Sequence, residues 1–371
     1  MKTIGNYLEA AGNRPSGFDY MRLTLALAVL VTHSVATSEG RATMQMLWQM
    51  FPLGGVLSLI LPMFFALSGF LVAGSMDRSR TVMSFMSLRA LRIYPALIVD
   101  ILLTALVIGP IMTNLDLVAY VRDPLFLSYL TNMTGHDISF QLPGVFADNP
   151  GSAANGQLWT VPYELYCYLL LGACMVIGLK FNRRLVILIG TAVLASALIA
   201  HDGMRTDWAF TNWFGAVSGK MLVVSFMLGV NIYLWRDSIP CSPYLVVAAL
   251  LASILIFSFA PGNRIFGVFP AALLTVYLGV LNPPRIFLVR GADISYGIFL
   301  YHFIFQQMLI ALMGGELRWY WVLGLSLPIT VLFAYGSWFL VEKPALALRK
   351  PLGRLEDKWL DRRTRPPAEL A

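Results

Sequence analysis

The chain has 371 residues, 58% of them hydrophobic and only 13% charged, with a formal net charge of +7 and a mean hydropathy of +0.70. A soluble domain carries about 25% charged residues, so this composition excludes an ordinary soluble enzyme. The excess of Lys and Arg does not point to nucleic acid, because these residues lie between apolar runs rather than in one basic domain; in membrane proteins such residues set topology and touch anionic lipid.

Residues 1–17 are polar and lack the basic start and apolar core of a signal peptide, so the first apolar run is expected to stay in place. An apolar run of about 20 residues crosses a bilayer as a helix. That length predicts about ten spans: 18–37, 51–75, 87–112, 159–178, 184–200, 214–235, 243–260, 265–282, 293–313 and 319–341. The expected fold class is all-α, a polytopic integral membrane helical bundle. Its membrane unit is expected over residues 1–345, followed by a basic tail over 346–371. With the N-terminus inside, 21 of the 27 Lys and Arg fall on the inner side and 6 on the outer. This positive-inside asymmetry predicts two cytoplasmic termini. The 46-residue connection from Thr113 to Leu158 then faces outward, and long loops are often functional. Cys167, Cys174 and Cys241 have neither metal-ligand nor disulfide-framework spacing, and no metal is expected.

A polar side chain inside a span is costly and therefore a candidate for function. Arg22 and His33 are eleven residues apart in the first span; about 1100° of helical rotation puts them on one face, roughly 16 Å apart. An imidazole there can take a proton from a hydroxyl. Arg89 and Arg92 share a face at the inner mouth of the third span, and paired guanidinium groups suit phosphate; ordinary positive-inside anchoring explains them as well. Trp159, Tyr163 and Glu164 open the fourth span. The two rings suit an interfacial belt, whereas a carboxylate there is paired, protonated or functional. Ser295 and His302 share a face of the ninth span beside Tyr301; polar contacts between helices are the alternative.

Taken together, these clusters resemble the membrane-bound acyltransferase-3 family of bacterial polysaccharide O-acyltransferases. The resemblance runs from about Phe18 to Pro344. It rests on Arg22 and His33 at the family's spacing, on Phe64-Phe65-Ala66-Leu67-Ser68-Gly69-Phe70-Leu71, and on Arg89 with Arg92. It continues through Trp159 to Glu164, Ser295 to His302, and Val341-Glu342-Lys343-Pro344. Three departures stand out: Phe18-Asp19 for the usual Leu-Asp, Thr160 for Ser, and Phe299 for Tyr or Trp.

The resemblance implies an acyltransferase of the bacterial plasma (inner) membrane. Acyl-CoA, most simply acetyl-CoA, would be a cytoplasmic donor substrate with no permanently bound cofactor, and a carbohydrate or lipid-linked glycan would be the acceptor. It implies Arg89 and Arg92 at the donor, and His33, Arg22 and Glu164 in catalysis, Glu164 as a group that tunes His33. Ser68, Gly69, Trp159, Tyr163, Ser295, Tyr301 and His302 would support them, with Ser68, Tyr301 or His302 donating hydrogen bonds to the oxyanion. A succinyltransferase of the same family fits these residues too. From other classes, a transporter or flippase and a sensor or scaffold also fit buried polar groups, although no inverted repeat is visible.

Overall fold

A computed structural model describes residues 1–79, 81–178, 182–202, 217–259, 261–354 and 356. Its main helices are α1 (Ile4–Ala10), α2 (Gly17–Gln49), α3 (Leu53–Arg78), α4 (Val82–Leu103), α5 (Val161–Gly178), α6 (Arg183–Asp202), α7 (Gly219–Leu234), α8 (Pro243–Phe259), α9 (Val268–Gly279), α10 (Ser295–Leu312) and α11 (Trp319–Ser337). A helix thus lies on each of the ten expected segments. Among the described residues, six stretches are long and apolar enough to cross a membrane: Gly17–Gln49, Leu53–Arg78, Val82–Met112, Gly156–Gly178, Ser295–Leu312 and Trp319–Arg354. The other four segments carry shorter apolar helices. The chain is an all-α, multi-pass membrane protein.

Three boundaries differ from the sequence expectation. Helical structure continues past the expected end at 37 to Gln49, but across a kink: Gly40 takes a non-helical conformation (φ 76°) that breaks the first helix, and a second helical piece follows it. The fourth was expected to start at the outer surface. Instead it starts inside the protein, with a 3-10 turn over Gly156–Thr160 in which Gly156, Gln157, Leu158 and Thr160 are buried. Gln157 Nε2 fastens that turn by donating to Leu300 O at 2.6 Å. Finally, the last helix continues to Arg354, across the expected boundary at 345; residues 357–371 of the expected tail lie outside the described residues.

Close backbone approach organises the bundle. A Cβ on Gly69 would stand 2.0 Å from Phe226 O, and one on Gly229 would stand 2.0 Å from Ala66 O. Reciprocal glycines let α3 and α7 touch main chain to main chain, the packing that replaces a hydrophobic driving force within lipid. The connections sort to two ends. At one end Ile4 N and Gly5 N donate to Ile239 O and Arg236 O, Arg285 reaches Asp19 and Arg14, and Thr81 Oγ1 donates to Glu356 at 2.5 Å. We refer to this as the basic end. At the other, the loop end, the long connection is pinned by Asn149 and Gln307. Gln307 in turn donates to the Gly151 and Ala153 carbonyls. Buried Asn155 approaches Asp100, Thr104 and Tyr129 within 3.0, 3.2 and 2.8 Å.

Candidate active site

Two cavities meet in the middle of the bundle. The larger, 220 Å³, is lined by Arg22, Ser68, Arg89, Arg92, Glu164 and Ser295 among mostly apolar walls. The smaller, 50 Å³, is lined by His33, Gln157, Trp159 and Thr160. Leu61, Thr160 and Phe299 belong to both, so these three residues form the partition.

The smaller cavity holds a histidine pair built by α2 and α10. His33 Nδ1 lies 2.7 Å from His302 Nε2, and the rings are parallel within 6°. His302 Nδ1 is 2.9 Å from Ile298 O. A carbonyl only accepts, so His302 Nδ1 carries the hydrogen and, in the neutral ring, Nε2 accepts. His33 Nδ1 must then be the donor, which leaves the lone pair of His33 on Nε2. A ring in that tautomer is poised to accept a proton.

The larger cavity is bordered by an ion network at the basic end. Arg22 pairs with Asp293 and lies 3.6 Å from Asp19. Arg92 binds Asp293 at 2.8 Å and Glu342 at 3.3 Å. Ser295 Oγ donates to Asp293 at 2.6 Å. Tyr301 OH donates to Ser337 Oγ at 3.1 Å, and Ser337 in turn donates to Glu342 at 3.2 Å. Burial pushes the Asp293 carboxyl up, but Arg22, Arg92 and Ser295 more than offset it and hold the group below the usual carboxylate range. One network therefore ties α2, α4, α10 and the end of α11.

The sequence candidates divide accordingly. His33 and His302 meet directly. Arg22, Ser68, Arg89, Arg92, Glu164 and Ser295 surround one cavity. Trp159 lines the other cavity, and Tyr163 packs against its ring at 6.0 Å. Gly69 is a helix contact with Phe226. Tyr301 is turned toward Ser337. Glu164 accepts from Tyr168 OH at 2.5 Å and shares its cavity with Arg89 rather than with His33. Sequence reasoning gave no role to Asp293, Glu342 or Gln157. The available signal was two carboxylates flanking spans that also carry several arginines.

The family model "Acyltransferase domain" of acyltransferase-3 matches residues 16–339. The chain belongs to this family. An "O-acetyl transferase" of Shigella phage Sf6 is 30% identical over 90% of this chain and 97% of its own length. "Nodulation protein 10" of Rhizobium leguminosarum bv. viciae is 28% identical over 94% of this chain and 98% of its own. No solved structure matches. The acyltransferase-3 match spans both cavities, and the protein is an acyltransferase.

Proposed function

We propose that this acyltransferase moves an acetyl group from acetyl-CoA, arriving at a cytoplasmic basic end, to a hydroxyl of an extracytoplasmic or lipid-linked carbohydrate in the bacterial inner membrane. The histidine pair carries this reading. It sets a base with its lone pair on Nε2 beside a cavity that meets the arginine-bordered apolar cavity at Leu61, Thr160 and Phe299. Support for the chemistry also comes from the phage relative, named as an O-acetyl transferase. Support for the orientation comes from the 21-to-6 division of basic residues.

In this scheme the thioester lies along the apolar cavity, with Arg89 and Arg92 toward the charged part of the donor. His33 Nε2 takes the acceptor's hydroxyl proton as the oxygen attacks the thioester carbonyl. The C–S bond breaks, and the CoA thiolate leaves with the proton returned by His33. His302 acts through His33 by holding its tautomer, so it is a positioning residue. Arg22 positions Arg92 through their shared Asp293. A succinyl donor is the second reading within the same family. The test is label transfer from acetyl-CoA and from succinyl-CoA to glycan in membranes containing the protein. Acetyl label on the glycan is expected; no label from either donor rejects the reading.

A further inference from the structure

A third hollow lies at the basic end. It measures 520 Å³ and is lined by Arg78, Arg89, Arg92 and Arg349 together with the hydroxyls of Ser75, Ser79 and Ser84. It shares Leu71, Arg89 and Arg92 with the 220 Å³ cavity, so the two adjoin at these residues. Small-molecule sites usually measure about 300–1,000 Å³, a range that the inner cavity misses and the bowl reaches.

Three elements build the bowl. Arg78 ends α3, Arg89 and Arg92 stand on α4, and the third wall is the helix that continues α11 to Arg354. Leu346, Arg349 and Gly353 of this helix line the bowl, their spacing of three or four residues defining one helix face, and Glu356 lines it as well. Thr81 Oγ1 clasps Glu356 at 2.5 Å, holding that face over the opening. The four arginines are not equivalent. Arg92 has two carboxylate partners. Arg89 donates to Ser75 Oγ at 3.0 Å, yet its buried Nε has no partner. With Arg92 matched by its own carboxylates, Arg78, Arg89 and Arg349 face one glutamate in the lining, and the bowl keeps a net positive charge.

We infer that Arg78 and Arg349, with Arg89, form the seat for the phosphates of the donor, and that the C-terminal helix is a working wall of the donor site. This inference rests on the acyl-CoA reading above. It shifts the phosphate contacts outward from Arg92, whose charge is already matched. A diphosphate and a 3′-phosphate suit several guanidinium forks, because each fork can bind two oxygens. The uncharged pantetheine arm then runs past Leu71 into the apolar cavity toward Phe299.

The test uses the full chain in a maltoside detergent, which carries no phosphate. CoA binding is measured by calorimetry for the unsubstituted protein, Arg78→Gln, Arg349→Gln, the double variant and Arg349→Lys. Each Gln variant should weaken CoA about tenfold, and the double variant about a hundredfold if the sites add; Arg349→Lys should recover part of the loss. The ratio of KM for acetyl-CoA to KM for S-acetylpantetheine should rise with the same factors. Unchanged CoA affinity in the double variant overturns the seat, as does an equal loss with both donors. Added phosphatidylglycerol separates a lipid headgroup from the donor: if stoichiometric lipid displaces CoA, the bowl is a lipid site and the assignment falls. The two readings fail separately. CoA binding without transfer from acetyl-CoA removes the donor reading and leaves the seat; transfer with unaltered binding in the double variant does the reverse.

Discussion

Arg92 and Arg89 stand one turn apart on α4 and occupy different surroundings. Arg92 spends both ends of its guanidinium on Asp293 and Glu342. Arg89 keeps a buried Nε without a partner and borders two adjoining hollows. The histidines repeat the contrast. His302 Nδ1 is spent on a backbone carbonyl, and His33 Nε2 is left with the lone pair. Groups of one chemical type divide into those tied into the bundle and those that border a cavity. Removing the first kind should reduce folded protein, whereas removing the second should reduce chemistry in protein that still folds.

The largest expected effect is on chemistry alone. His33→Gln should insert at normal abundance and still bind CoA, yet lose transfer by about 10²–10⁴-fold, the usual contribution of a placed base. Label transfer at matched membrane abundance measures it. Near-normal transfer would erase the contrast between the two histidines.

Asp293→Asn should show the opposite profile. It leaves Arg22 and Arg92 facing each other without their shared carboxylate. Breaking a fully buried pair costs roughly 3–5 kcal/mol. Here the partners keep 28%, 27% and 21% of their side-chain surface exposed, so solvent reduces the loss to about 2 kcal/mol. The readout is thermal unfolding in detergent. The pH sign follows from the depressed carboxyl. Its stabilisation is complete above the ordinary Asp value of about 3.9 and fades as pH falls below that toward the lower folded value. The unsubstituted protein should therefore lose stability below about pH 4, by a step that Asp293→Asn lacks. A variant as stable as the parent would mean that the network holds nothing together.

These two residues also show what the sequence made legible. Helix positions come from local apolar length and could be read in advance; Arg22 and His33, a near-whole number of helical turns apart, line two adjoining cavities. Asp293 could not be paired with Arg22 and Arg92 beforehand, because three separate elements must converge first. Glu342 was visible only inside Val341-Glu342-Lys343-Pro344. Gly69 was visible as part of a motif, and its contact with the Phe226 carbonyl follows only from how α3 meets α7. The start of α5 was legible to within a few residues, but the burial of its opening turn was not, because the Gln157–Leu300 bond spans 143 residues and nothing local signals it.

His302 sharpens the contrast at an intermediate size. His302→Leu removes the acceptor for His33 Nδ1–H, and the neutral ring of His33 then divides between tautomers. The expected result is about a tenfold fall in kcat, equivalent to about 1.4 kcal/mol, with KM for acetyl-CoA unchanged. His302→Gln can still accept from His33 and should recover part of the rate, which a purely space-filling role would not predict. Equal losses in the two variants would reduce His302 to packing.

Glu164 gives the smallest effect. It lines the arginine-bordered cavity and accepts from Tyr168 OH, while His33 lines the other side of the partition. Tyr168 also lies under Arg89, whose guanidinium carbon is 5.9 Å from its ring centre. Glu164, Tyr168 and Arg89 therefore form one group beside the arginine-bordered cavity. Glu164→Gln keeps an oxygen for the Tyr168 hydroxyl and removes only the charge. Incompletely buried charge interactions contribute about 0.2–1 kcal/mol, so KM for acetyl-CoA should change by about threefold, near 0.6 kcal/mol. If Glu164 instead tuned His33 across the partition, kcat and its pH profile would move while KM stayed fixed. Steady-state kinetics over pH 5.5–8.5 distinguish the two, and a shifted kcat profile would reassign Glu164 from the donor side to the base.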